Sequence, residues 1–182
     1  MIRATISLLA PSISGCIEVE AQRRLGQLDD LLDYFDRRQG GATLSGPAGP
    51  RIERTLDEAT AQLGPLPAMI ADRARLRVIL ASLARTLHVG PLADCFFDPA
   101  TALCLKRMTS PDPKQPMTAL CEPTRCPNAC ITARHRPAWE RAADDARAHL
   151  RERRISDLQR SALERELDRL SAVIAAIDPP AP

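Results

Sequence analysis

Three cysteines and a histidine fall within the stretch CEPTRCPNACITARH, residues 121 to 135. With Cys95 and Cys104 upstream, the spacing is Cys-x8-Cys, sixteen residues, then Cys-x4-Cys-x3-Cys-x4-His. Thiolates and imidazoles are the donors that zinc gathers into a tetrahedron, and two donors a few residues apart can be aimed at one ion by a tight turn. Six donors exceed four places. The expected ligands are Cys104, Cys121, Cys126 and Cys130, with Cys95 and His135 in reserve, and the expected cofactor is a structural Zn2+. Other thiol chemistries stay open. The six cysteines of the chain are an even number, as disulfide pairing in an exported protein requires. Closely spaced cysteines can also hold an iron–sulfur cluster, or lie apart as buried small residues.

The segment that carries these thiols needs a fastener. Residues 91 to 136 show neither a helical nor a strand period, and Pro91, Pro99, Pro111, Pro113, Pro116, Pro123 and Pro127 forbid a long helix. A loop of that length inside a folded domain must be held by something. Metal coordination would supply the free energy that its missing apolar residues do not.

The elements on either side read as helices. Over residues 15 to 38, Ile17, Ala21, Leu25, Leu28, Leu32 and Phe35 recur at intervals of three and four on one face. Gly40 and Gly41 stop that helix. A shorter amphipathic helix spans 51 to 63, with Ile52, Leu56 and Leu63 on its apolar side, and GPLP interrupts the chain after it. A third helix runs from about 66 to 88. Its centre, LRVILASLARTL, is the most apolar run of the sequence, and His88 closes its end. Beyond the cysteines, Pro137 suits a first helical turn, and a helix continues to about 154. Ser156 and Gln159 form a capping box for the last helix, 157 to 177, whose stripe is Leu163, Leu167, Leu170, Ile174 and Ile177. So short a connection predicts an antiparallel hairpin or a piece of coiled coil.

The expected fold is therefore mainly α: a helical bundle, an irregular Cys-rich zinc-stabilised module, and a C-terminal helical hairpin or coiled coil. The corresponding segments are 1–90, 91–136 and 137–178. With 182 residues and 45% hydrophobic content, the chain is long and apolar enough for a real core. Aromatic residues make up only 3%, so Leu, Ile, Val and Ala must fill it.

The element CFFDPATALC, residues 95 to 104, together with CEPTRCPNACITARHRPAW, resembles a cysteine-rich segment of actinobacterial integrase-like, mobile-element proteins. Cys95, Asp98, Pro99, Thr101, Ala102, Leu103 and Cys104 carry the first element of the resemblance. Cys121, Pro123, Cys126, Asn128 and Cys130 carry the second. Phe96 departs from it, standing where some relatives place a histidine. The resemblance covers residues 94 to 139 and implies a part in site-specific recombination, with a recombinase as a possible partner. It does not imply catalysis. A tyrosine recombinase needs a nucleophilic tyrosine with arginine and histidine around the phosphate, and the one tyrosine, Tyr34, is expected to be a packing residue with its hydroxyl at the core's rim. No resolvase-type domain, phosphate loop, His-Glu-x-x-His or nucleophile elbow is present. The chain is expected not to be an enzyme and to act on no small-molecule substrate.

Formal net charge is only +2, but it is unevenly spread. Residues 134 to 160 hold eight arginines against five acids. Arg147, Arg151, Arg153 and Arg154 are the expected contacts to double-stranded DNA phosphates. The plain alternative is a solvated helix laced by its own ion pairs, in which case the C-terminal helices would serve self-association or a protein partner. No run of residues is long and apolar enough to span a membrane. The N-terminal MIRATISLLAPSISGC imitates a lipoprotein box, but its apolar run is short and Pro11 breaks it, so a cytoplasmic location is expected.

Overall fold

The computed structural model describes residues 13 to 63, 70 to 108 and 114 to 177. The expectations about the N-terminal lipoprotein-like box, GPLP and the terminal DPPAP concern segments wholly or largely outside those residues. Side chains are described from residue 22 onward in the first helix, so Ile17 and Ala21 also lie outside.

Helix α1 (Ile13–Gln39), α2 (Gly49–Leu63) and α3 (Ile70–Ala84) pack together. Their shared core is Leu31, Leu32, Tyr34, Phe35, Ile52, Leu56, Ala59, Leu76 and Leu80. The apolar stripe of α1 is used from Leu28 onward, whereas Leu25 is 62% exposed. The apolar centre of α3 is buried on one side only: Leu76, Leu80 and Ala84 face inward while Val78 is 77% exposed. α1 ends as the glycines require. Gly40 N–H donates to Asp36, Ala42 N–H donates to Arg37, and Gly41 takes φ +85°, a left-handed cap that other residues adopt only with strain.

α3 is shorter than expected. The chain leaves it at Ala84 and makes a three-stranded antiparallel sheet of β1 (Leu87–His88), β2 (Asp94–Phe96) and β3 (Ala129–Cys130), in that spatial order. His88 is therefore a strand residue, not the end of a helix. β3 is joined on its outer side by Ser45, which exchanges backbone hydrogen bonds with Ile131. Gly46 makes this approach possible: it adopts φ +81°, and a Cβ there would lie 2.9 Å from the carbonyl oxygen of Ala129.

The small sheet joins three apolar clusters. Phe96 and Cys130 belong to the helical core. Ile131 belongs to a second core with Trp139, Ala143, Ala146, Leu170 and Ile177. Phe97, Ala102, Cys104 and Leu105 form a third, on and around the short helix α4 (Leu103–Lys106). The second core is the seam of the hairpin formed by α5 (Arg136–Leu150) and α6 (Asp157–Ala176). Pro137 lies in the first turn of α5, and Ser156 and Gln159 cap α6 reciprocally as the sequence predicts. Ala143 and Ala146 keep the helices close. Arg136 closes the open end by donating to the carbonyls of Ile174 and Ile177, each at 3.0 Å, and Arg160 donates to Leu150 at the tip. Among the described residues no helix is long and apolar enough to cross a membrane.

Candidate metal centre

Strand parity decides which thiols meet. Successive side chains of a strand point to opposite faces, so Asp94 and Phe96 share one face of β2 and Cys95 takes the other. Across β2 and β3, Asp94 is paired with Cys130 and Cys95 with Ala129. Cys130 is thus directed with Asp94 toward α1, where it is fully buried beside Tyr34. Cys95 is directed away, alongside its register partner His88.

On that far face, Cys95, Cys104, Cys121 and Cys126 line one cavity of about 100 Å³. Cys104 stands on α4. Cys121 ends a 3-10 turn, Thr118–Leu120, its N–H donating to Thr118. Cys126 ends the next turn, its N–H donating to Glu122 at 2.8 Å, so Cys121 and Cys126 flank a single reversal. Two interactions hold the halves together. Glu122 accepts from both Arg107, just beyond α4, and Arg125. Asn128, which is buried, donates from Nδ2 to the carbonyl of Asp98 at 2.9 Å and accepts at Oδ1 from the hydroxyl of Thr101. Asp98 in turn accepts from the amide of Ala100 and from Thr101. The residues Asp98, Thr101 and Asn128 therefore form the frame on which the cysteines sit.

The surroundings of Cys95 and Cys121 disfavour their thiolates. Burial pushes the Cys95 thiol up to about 12, with Cys126, Cys121 and Cys104 adding to the rise. Burial also raises Cys121, followed by Cys126 and Cys104. Negative charge on neighbouring thiolates adds to both rises, whereas a divalent cation among them would reverse that balance. Cys130 is likewise pushed up to about 12 by burial, but its electrostatic neighbours are Tyr34, Asp94, Glu53 and Arg134. None of these is a thiol.

The expected ligand set is therefore only partly brought together. Cys104, Cys121 and Cys126 line one cavity, and Cys95 lines it with them. Cys130 lies on the opposite face of the sheet. His135 is buried in a different constellation, with Nε2 3.6 Å from Asp94 and Nδ1 accepting the N–H of Thr132 at 2.9 Å. Nε2 also lies 3.4 Å from the Nε of Arg134. All five described cysteines are free thiols. Among the described residues no three His, Cys, Asp or Glu side chains stand in a ready-made coordination sphere. The four thiols share a cavity rather than a point.

Asp94 has no counterpart among the sequence expectations. Fully buried, it accepts from the Tyr34 hydroxyl, from Arg134 and from the amide of Gly90 at 3.2 Å. Burial raises its pKa, but the adjacent His135 ring, the hydrogen bond from Tyr34 and the charge of Arg134 outweigh that and hold the carboxyl below its ordinary value. Tyr34, expected with its hydroxyl at a rim, is instead 4% exposed with the hydroxyl tied to this carboxylate. The one hint in the sequence was an acid inside the apolar run LADCFF.

The arginines divide into used and free. Arg134 serves Asp94, Arg136 serves the end of α6, and Arg147 pairs with Asp144 at 2.8 Å. Arg151, Arg153 and Arg154 are exposed at the hairpin tip. No family, no curated protein and no solved structure matches the chain.

Proposed function

We propose that the chain is a non-catalytic, zinc-stabilised module that contacts double-stranded DNA through the tip of its α5–α6 hairpin, as the DNA-binding or assembly part of an integrase-like recombination system. The observation that carries the DNA reading is the cluster Arg151, Arg153 and Arg154, which among the described residues is exposed and makes no ion pair. Unpaired guanidiniums exposed in the turn of a helical hairpin are suited to phosphate oxygens. Arg147 contributes less, since Asp144 already neutralises it. The recombination context comes from the resemblance of residues 94 to 139 alone. The burial of Tyr34 against Asp94 supports a role without a tyrosine nucleophile.

The second reading is a helical protein-interaction module. Leu158, 77% exposed at the same tip, favours it. Against it, the apolar stripe of α6 is already spent within the hairpin, where Leu170 and Ile177 are buried and Leu167, Val173 and Ile174 partly so.

Fluorescence anisotropy with a labelled DNA duplex separates the two. Under the DNA reading, affinity falls steeply between about 50 and 200 mM salt. It also falls when Arg151, Arg153 and Arg154 are together replaced by Ala, with thermal stability unchanged. Binding that ignores both salt and those substitutions would defeat the DNA reading.

A further inference from the structure

We infer that Cys95, Cys104, Cys121 and Cys126 are the four ligands of a single structural Zn2+ ion, with Cys130 and His135 excluded. This rests on the zinc-stabilised part of the reading above and not on its DNA part.

The assignment follows from topology. The four thiols come from four successive pieces of chain: a central strand, a one-turn helix, a 3-10 turn and a tight reversal. All four line one cavity. Among the described residues, the third apolar cluster is the smallest, resting on Phe97, Ala102, Cys104 and Leu105. A bond from each segment to one ion would tie together what that core does not. Zinc fits because it is soft enough for thiolate and asks only for a tetrahedron of donors. With Zn–S bonds of about 2.3 Å, the sulfurs would sit about 3.8 Å apart. The cavity must therefore contract as the ion enters. Cys121 is the ligand free to move: it is exposed, and its backbone is held by one short-range hydrogen bond.

His88 lines the same cavity, but its ring packs edge-to-face on Phe97 at 5.8 Å, which makes it wall rather than ligand. Cys130 cannot reach the far face without a one-residue slip of β3 against β2. Such a slip would also turn over the adjoining Ile131, which is buried in the α5–α6 core.

The test uses the purified full chain. Native mass spectrometry should find one zinc per chain, and cobalt substitution should give the intense thiolate-to-metal absorption of a tetrahedral site. Thiol alkylation mapped by peptide mass spectrometry should leave Cys95, Cys104, Cys121 and Cys126 unlabelled until a chelator is added. Cys130→Ala should retain full zinc occupancy, and Cys95→Ala should lose it. Should the Ala variants fail to fold, the alkylation map of the unaltered chain still decides. Iron with sulfide, disulfides among these cysteines, free thiols without metal, or Cys95 labelled while zinc is bound would each overturn the assignment. A zinc-loaded chain that ignores DNA would sink the DNA reading alone. A zinc-free chain that binds DNA would sink this site together with the zinc-stabilised part of the reading and leave its DNA part standing, whereas zinc bound with Cys95 labelled would sink this ligand set alone.

Discussion

Asp94 and Cys130 are register partners across β2 and β3, and both face α1. That pairing places a fully buried carboxylate against the Tyr34 hydroxyl and Arg134, and removes Cys130 from the other thiols. A buried charge in such a setting is held by its partners, and removing one partner leaves the remaining groups uncompensated. Asp94→Ala should therefore destabilise the chain by about 3–5 kcal/mol. Tyr34→Phe, which removes one hydrogen bond to the carboxylate, should cost about 1–3 kcal/mol. Urea titrations of the two variants and their double mutant measure this. Additive losses would mean that the hydroxyl and carboxylate are energetically independent, contrary to the geometry.

Two glycines should respond to alanine in opposite directions. Gly46 has φ +81° and no room for a Cβ beside Ala129, so Gly46→Ala should cost about 1–3 kcal/mol. Gly26 lies within α1, where an added Cβ would meet nothing within 4 Å. Gly26→Ala should stabilise by about 0.5–1 kcal/mol through helix propensity. Thermal melts of both, compared at the same protein concentration, give the signs directly.

Arg136 is the clasp of the hairpin's open end. Replacing it with Ala leaves the carbonyls of Ile174 and Ile177 without their guanidinium donor, at a cost of about 1–3 kcal/mol. The loss should be local. Hydrogen exchange should quicken in the last turns of α6 while the tip near Leu150 and Arg160 keeps its protection. Uniform quickening along both helices would show that the clasp governs the whole hairpin instead.

If the four-thiol cavity holds zinc as proposed, stripping the ion should loosen the thiol-bearing segments before the rest. Residues 95 to 108 and 114 to 126 have the smallest core, whereas the α5–α6 seam has its own. Exchange protection should fall first around Cys104 and Cys126, with α5 and α6 retained. Equal loss throughout would contradict a local staple.

The helices were legible because their signals are periodic and local. The apolar stripe of α1, the Gly40–Gly41 stop, Pro137 and the Ser156–Gln159 box each specify structure within a turn or two of themselves. The sheet was not, because strands of two or three residues are too short to display a period. Everything that depends on the sheet was hidden with it. Without β2 there is no parity to separate Cys95 from its neighbours Asp94 and Phe96, so spacing alone favoured Cys130, which is closer to Cys126. Tyr34 and Asp94 are sixty residues apart, and no local pattern links them. The frame residues Asp98, Thr101 and Asn128 were visible as a motif but not as a hydrogen-bonded unit.

Trp139 donates its indole N–H to the carbonyl of Leu92 at 2.8 Å. It is the only tryptophan in the chain, and it sits on α5 while its acceptor lies three residues before Cys95. The molecule therefore carries an intrinsic optical gauge of whether the strand that leads into the thiols is seated on the hairpin. When Leu92 lifts away, the indole gains water and its emission should shift to the red, with no label needed.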